Sequence, residues 1–428
     1  MPKKSYEWGT PGKEYPFIRQ HSIAKHEILK AYLIQYFKTL TSNPGREIIK
    51  LTLIDGFAGG GAYLHEDTGQ ITLGSPFIML DAVKEAEASI NATRTKPLKI
   101  DADFVFIEKS KRAYKFLEFE LKLRGYEGLI NDKIFILNAE FQNKSANLVE
   151  RIVGKTPRAR RAIFLLDQYG YSEIPPSFIQ GILNKLPGSE IILTYAVDSL
   201  LNYISDSEQT TKLLRKIEMP DLLRGKTVEE IKSSGPDWRL FIQSMLYQDF
   251  VNACGAQFFT SFFIRSDRGH GDYWLLHFSQ QPKARDVMAG IHWDLNNYFI
   301  HYGDPGLDMF MLGYFDKKDD TLSGQTSIDS FLFDGTAKER SIETLREEIP
   351  QLICKMPDGV RFDQLFLKAC NFTPATSNLI KESIINLAKT KDLDVFTEQG
   401  KRRKGFSNIN DSDQIVCSKQ LKIFTFVD

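Results

Sequence analysis

The sequence predicts an α/β protein: a doubly wound, seven-stranded, mostly parallel sheet with an antiparallel last strand, followed by a winged-helix-like carboxyl-terminal domain. Three observations predict it. Apolar strand patterns alternate with helical ones over about 150 residues, which argues a parallel sheet with helices on its faces. Two further strand patterns, GAQFFTSFFIRS (255–266) and DYWLLHFSQQ (272–281), flank the hairpin-type turn Asp267-Arg268-Gly269-His270-Gly271 and supply an antiparallel pair at the end of that sheet. Last, three helical stretches precede a strand, a basic loop and a second strand, the order of a winged helix.

Taken in order, residues 1–20 are broken by Gly and Pro and read as a surface segment. From Ile23 to Thr39 the apolar residues recur at helical spacing, and the polar start of this helix holds His21, Lys25 and His26. Those three are either solvated helix-start residues or a cover for a ligand mouth. The run LTLIDGFAGGGA (51–62) is an apolar strand breaking into a Gly-rich turn. Gly74-Ser75-Pro76 reads as a helix start with Ser75 as N-cap and Pro76 at the first helical position. Strands follow at 103–110, closing on Glu108, at 133–141, at the stretch ending on Asp167, and at 189–197. The expected domains are an amino-terminal segment and helix (1–45), a sheet domain (46–300) with a helical insertion at about 198–250, a linker (301–340) and the winged unit (341–428).

An apolar strand, a Gly-rich turn and a helix start together bring backbone N–H groups close to a nucleotide-like ligand. The spacing Asp55-x-Phe57-x-Gly59-x-Gly61 lacks the Gly-Lys-Ser/Thr of a P-loop and is not a full G-x-G-x-x-G. It resembles the first motif of class I S-adenosylmethionine (SAM) methyltransferases, with SAM as the expected cofactor. Asp55, Gly56, Phe57, Ala58, Gly59 and Gly61 are the candidate cofactor loop, the glycines letting backbone approach where a Cβ would clash. Glu108 ends the second strand, where an acid accepts hydrogen bonds from ribose hydroxyls, and the insertion between Ala62 and Ser75 absorbs the long gap to it. Asn138 and Ala139 stand where an adenine contact falls.

Asp167-Gln168-Tyr169-Gly170 follows the fourth strand, at the position facing a methyl donor. Amino methyltransferases carry D-P-P-Y or N-P-P-Y there: the carboxylate or amide accepts from the target N–H₂ and the ring stacks on an extruded base. Asp167 and Tyr169 are therefore the candidate catalytic residues, Asp167 having the alternatives of a cofactor-amine acceptor or a loop cap. In the winged unit, Lys401-Arg402-Arg403-Lys404 would be the wing and 374–388 the helix offered to a groove of DNA or RNA; a solvated tip or a protein-docking wing are the alternatives.

Composition narrows the classes. Lys+Arg and Asp+Glu are both 55, so nucleic-acid binding rests on local patches rather than a global field. Cys254, Cys354, Cys370 and Cys417 form no C-x-x-C pair and the seven His are dispersed, which argues against a metal site and for a reducing compartment. With no apolar h-region behind Lys3 and Lys4 and no run of about 18 apolar residues, a cytoplasmic protein away from membranes is expected. The basic run Lys155, Arg158, Arg160 and Arg161 precedes the fourth strand and belongs at the sheet's amino edge, away from the active face.

Taken together, KHEIL (25–29), IDGFAGGGAY (54–63), GSP (74–76) and LLDQYG (165–170) resemble the three-Cys-motif partner protein (TcmP) family over roughly residues 7–300. The resemblance implies a SAM-methyltransferase-like domain and a working partner of radical-SAM type with three closely spaced cysteines. It implies no substrate. Gln168 stands where a Pro is expected.

Overall fold

The computed structural model describes residues 6–233, 238–264, 273–295, 299–301, 307, 331–332, 335–403 and 408–418. The chain divides near residue 300 into two compact units. The turn 267–271, Lys404 and most of the expected linker lie outside the described residues.

In the first unit the chain runs β1 (Phe17–Ile18), α1 (Gln20–Leu40), β2 (Ile48–Asp55), β3 (Ala62–His65), β4 (Ile71–Leu73), α2 (Ser75–Asn91), β5 (Lys99–Ile107), α3 (Lys111–Leu123), β6 (Ile134–Leu137), α4 (Ser145–Lys155), β7 (Ala162–Leu166), α5 (Pro176–Lys185) and β8 (Ser189–Tyr195). It continues through α6 (Val197–Tyr203), α7 (Glu208–Lys216), α8 (Val228–Ser233), α9 (Trp238–Cys254), β9 (Phe258–Ile264), β10 (Tyr273–Ser279), α10 (Pro282–Asp294) and β11 (Phe299–His301). Seven strands lie side by side in the order β6-β5-β2-β7-β8-β10-β9, and the short β11 extends this sheet antiparallel to β9. The first five pair in parallel, and β10 is antiparallel to both its neighbours. This is the methyltransferase-type doubly wound sheet. Its inner strands are apolar almost without break because helices cover both faces: AIFLL of β7 and SEIILTY of β8 are buried throughout.

Chain order reverses between β2 and β7, and in such sheets the crevice outside the carboxyl ends at the reversal is where a ligand fits. Asp55 is level with Leu165 of β7, and Asp167 follows two residues on, near enough for its charge to act on the Asp55 carboxyl. The insertion after the Gly-rich turn is the β3–β4 hairpin, with β1 added parallel to β3. Ser75 is not the N-cap expected of it. Gly74 takes that place and Ser75 opens the helix, its hydroxyl acting on the Asp55 carboxylate.

Helix α1 packs against α2 and α10. A buried network pins its far half to the sheet: the Tyr32 hydroxyl donates to Glu190 and lies 3.2 Å from His277 Nε2, itself 3.1 Å from Glu190. The amino-edge position expected for the basic run holds for Lys155, which meets Asp103 at 2.5 Å and Asp101 at 3.1 Å. Among the described residues no helix is long and apolar enough to cross a membrane.

The second unit contains β12 (Phe331–Leu332), α11 (Gly335–Ile353), β13 (Val360–Arg361), α12 (Phe362–Ala369), α13 (Ser377–Lys389), β14 (Leu393–Phe396) and β15 (Gln414–Cys417). Its three-stranded sheet runs β13-β15-β14. Three helices and a strand–loop–strand make the expected winged helix, with two changes. Helix α11 begins before residue 341, and α13 begins at Ser377, because Thr376 caps it by accepting from Leu379 N at 3.3 Å. Cys354 and Cys417, 63 residues apart in sequence, are joined by a disulfide, a pairing that spacing could not reveal.

Asp413, 1% exposed, is the anchor of this unit's loop, accepting from Arg403 Nη2 at 2.9 Å and from Asn410 N at 2.8 Å. Stripping one partner from a buried ion pair leaves the other charge uncompensated, at a cost of roughly 3 kcal/mol. Asp413→Ala is therefore expected to lower the melting temperature of the full chain, with the extra amide exchange confined to 393–417. Exchange spread over the first unit as well would contradict this.

Candidate active site

Four parallel strands end together at one edge: β2 with its last residue Asp55 and Gly56 to Gly61 after it, β5 with Glu108 after it, β6 with Asn138 and Ala139, β7 with Asp167 to Gly170. Asp55 is fully buried. Its Oδ1 accepts from Phe57 N at 3.1 Å, while Oδ2 has no hydrogen-bond partner among the described residues. Burial pushes this carboxyl up to about 7, against the Ser75 hydroxyl and the Phe57 N–H, and the neighbouring charges of Asp167 and Glu108 raise it further. Glu108 accepts from Gly59 N at 2.9 Å through Oε2 and from Ser110 N at 2.6 Å through Oε1. Burial raises it above the ordinary carboxylate range, less than it would without those two N–H donors. A carboxylate has about four lone-pair sites, so each oxygen keeps acceptor capacity for a ligand hydroxyl.

The glycines need a different explanation from the one expected. Gly59 and Gly61 do adopt left-handed backbone, with φ of +60° and +77°. A Cβ on Gly59 would sit 2.8 Å from the Trp8 ring, one on Gly60 2.3 Å from Trp8 Nε1, and one on Gly61 2.7 Å from Leu117. Glycine is required here by the protein's own packing. Trp8 lies across the loop, donating from Nε1 to Ala62 O at 3.1 Å, and sits in one cluster with Ala62, Ala113 and Phe116, against which Tyr6, Tyr15 and Tyr63 pack. Its importance was invisible in a segment that reads as Gly/Pro-broken surface.

The Asn138 amide nitrogen donates to Glu108 O at 2.8 Å and Lys109 O at 3.1 Å, tying the ends of β5 and β6 together. Ala139 N donates to Glu108 O at 3.2 Å. Gly56 and Ala58 continue the ladder, donating to Leu165 O at 2.9 Å and Ile107 O at 3.0 Å. The Phe57 ring lies 6.5 Å from that of Phe141.

Around Asp167 the amino-terminal helix supplies what the sequence left open. Lys25 Nζ donates to both carboxylate oxygens, at 2.6 and 2.7 Å. Burial alone would raise the Asp167 carboxyl, but Lys25, the Thr194 hydroxyl and His26 together hold it below the usual range. An amine seeking this carboxylate competes with an ammonium already bound there. His21 stacks on Tyr273 with centroids 5.2 Å apart, and burial together with Lys25 lowers its pKa to about 4. Burial likewise brings His26 down to about 4, against the attraction of Asp167. Tyr273 feels Asp167, Tyr169 and Tyr6, and burial pushes it up to about 12. Tyr169 itself is 66% exposed. Gln168, the departure from the Pro pattern, is buried, and its Oε1 accepts from Glu173 N at 3.0 Å and Ile174 N at 3.1 Å. It shapes the 168–174 loop by hydrogen bonds where Pro would do so by a fixed φ.

In the winged unit the basic cluster is largely spent internally. Arg402 pairs with Asp394 and Arg403 with Asp413, while Lys401 is exposed. On α13, Lys381 meets Asp411 at 2.7 Å.

A family model described as "GMT-like wHTH domain" matches residues 313–400. No curated protein matches the chain in sequence. Among solved structures it is similar to protein LPL1258 from Legionella pneumophila str. Philadelphia 1, family-model DUF519, at 14% identity and a TM-score of 0.34, covering 64% of this chain and 92% of that one. A SAM-dependent methyltransferase from Agrobacterium tumefaciens is 11% identical with a TM-score of 0.30, over 62% of this chain and 63% of that one. Magnesium protoporphyrin IX methyltransferase from Synechocystis PCC 6803 is 10% identical with a TM-score of 0.24, over 61% and 85%. At such scores the likenesses carry no weight for function, which rests on the chain's own geometry.

Proposed function

We propose that the chain is a SAM-dependent methyltransferase whose acceptor is an amine on a planar ring, a nucleic-acid base of DNA or RNA. One observation carries the reading: β5, β2 and β7 lie side by side in parallel, and their carboxyl ends bring Glu108, Asp55 and Asp167 to one edge at the switch-point crevice. SAM supplies a methyl group on a sulfonium and carries a net positive charge, which suits Glu108 and the ionised form of Asp55, Asp167 being paired with Lys25. The donor set fits it. Glu108 keeps lone pairs for a vicinal diol, and Asp55, at the end of the neighbouring strand, has a buried Oδ2 with no hydrogen-bond partner among the described residues. Tyr169 offers an exposed ring beside Asp167 on which a base can stack. Phosphate contacts from Lys401, Arg402, Arg403 and Lys404 belong to this proposal, as does the three-Cys-motif partner of radical-SAM type, which rests on the TcmP resemblance.

A second reading, a non-catalytic methyltransferase-fold scaffold that docks a partner, is favoured by two observations. Lys25 already holds both oxygens of Asp167, and the wing arginines are paired within their own unit. Calorimetric titration of SAM and its demethylated product separates the readings, with Asp55→Ala and Glu108→Ala measured alongside. The enzyme reading expects micromolar binding to wild type, lost in both variants, and then tritiated-methyl transfer to DNA, tRNA or rRNA. Absence of binding to wild type leaves the scaffold.

A further inference from the structure

Among the described residues the two most exposed large aromatic rings are Tyr203, at 70%, and Tyr169, at 66%. Both leave the sheet at one edge. Tyr169 stands in the loop after β7, and Tyr203 ends α6, which follows β8, the parallel neighbour of β7. The two exits are stitched together: Ala196 N donates to Gly170 O at 3.2 Å, and the Tyr171 ring lies 6.3 Å from that of Tyr195. Tyr203 is near enough to Tyr171 to add to the upward push that burial gives that phenol. Helix α7 lays Lys216 on the same loop, its Nζ 3.2 Å from Ser172 Oγ. That ammonium meets no carboxylate among the described residues. Of the acids on these segments, Glu173 is offset by Lys109 at 3.0 Å and Glu218 accepts from Ser177 N at 2.9 Å. A ring left mostly in water contributes little to the fold. Exposed rings beside a cation at one edge are instead what surfaces for unpaired nucleic acid are made of.

We propose that Tyr203 and Lys216 extend the acceptor side of this site into a track for unpaired nucleic acid, Tyr203 stacking a base that flanks the target and Lys216 taking a backbone phosphate. The inference rests on the reading that the chain methylates a base of DNA or RNA, with Tyr169 stacking on the target. In a duplex both faces of a base are covered by its neighbours, so a duplex engages both tyrosines only by unstacking two bases. An unpaired strand already offers those faces. The consequence is a preference for single strands and loops over duplex, set by a residue outside the Asp167 motif and the cofactor loop. Every base has a π-face, so Tyr203 selects the unpaired state rather than a sequence. An ammonium has three donors, so Lys216 can bind a phosphate oxygen while keeping the Ser172 hydroxyl that positions it.

The test is fluorescence anisotropy on the full chain with the demethylated cofactor present. The probes are labelled oligo(dA) and oligo(rA) of about 12 nucleotides and the oligo(dA)·oligo(dT) duplex of equal length. Wild type is expected to bind at least one single strand about fivefold or more tighter than the duplex, the tighter of the two telling DNA from RNA. Tyr203→Leu is expected to weaken that strand by about 5- to 100-fold and the duplex by less than about twofold. Tyr203→Phe keeps the ring and is expected to stay within about twofold of wild type. Lys216→Gln is expected to reduce the slope of log affinity against log salt by about 0.7 on the single strand. SAM affinity by calorimetry, and circular dichroism melts, are expected to be unchanged in all three variants. Duplex bound as tightly as single strand, no loss in Tyr203→Leu, or an equal loss in Tyr203→Phe overturns the inference and leaves the methyltransferase reading intact. A wild type that binds SAM but none of the three probes overturns the inference and the nucleic-acid acceptor together.

Discussion

Asp55→Asn is expected to bind SAM at least about 100-fold more weakly than wild type and to abolish a pH dependence that wild type displays. The wild-type carboxyl titrates near 7 because it is buried, so below that pH the cofactor must displace a proton to meet a charged partner. Affinity of wild type for SAM is expected to rise with pH, by up to tenfold per unit, and to level off above about 7. The variant has no proton to release, and its affinity is expected to stay flat.

Stability of the cofactor-free protein runs the other way. The folded-state value lies above the ordinary 3.8, so between about pH 4 and 7 the folded chain keeps a proton that the unfolded chain has released. The contribution of the neutral, buried form is present at low pH and lost as pH rises through about 7. Asn mimics the neutral form, so Asp55→Asn is expected to melt higher than wild type at pH 8 and at the same temperature near pH 4. A variant less stable than wild type at pH 8 would show that Oδ2 has a partner worth more than its burial penalty.

Trp8→Ala is expected to cost about 3–5 kcal/mol, the range for removing a large aromatic ring from a packed position. The ring lies against Gly59 and Gly60 and donates to Ala62 O, so its loss uncovers the loop that carries Asp55. Amide exchange is expected to quicken across 56–63, and SAM affinity to fall through a looser site. Trp8→Phe retains much of the apolar contact but not the Nε1–H donor, and is expected to fall between the two. Were Trp8→Ala to leave both melting temperature and exchange unchanged, the amino-terminal segment would not be part of the site's construction.

How far the site was legible in the sequence depended on whether its parts are local. Asp55, Glu108 and Asp167 each sit at the end of an apolar strand, and period and strand order alone bring such ends to one edge. The β3–β4 hairpin was legible as a gap that needed filling. Lys25 was visible only as one of three polar residues at a helix start, because its partner is 142 positions away. For Asn138, nothing nearby in sequence announces that its amide nitrogen donates to two carbonyls after β5.

Fold class, winged unit and the set of strand ends that carry carboxylates are readable from the chain's local patterns, because hydrophobic period and turn chemistry are written within windows of a few residues. What those groups do to one another is set by folding. It placed Trp8 on the glycines, gave Asp167 its ammonium, joined Cys354 to Cys417 and paired Arg403 with Asp413. The reason is physical: charge pairing, burial and close packing depend on distances in space, and these contacts span sequence separations that no local pattern encodes.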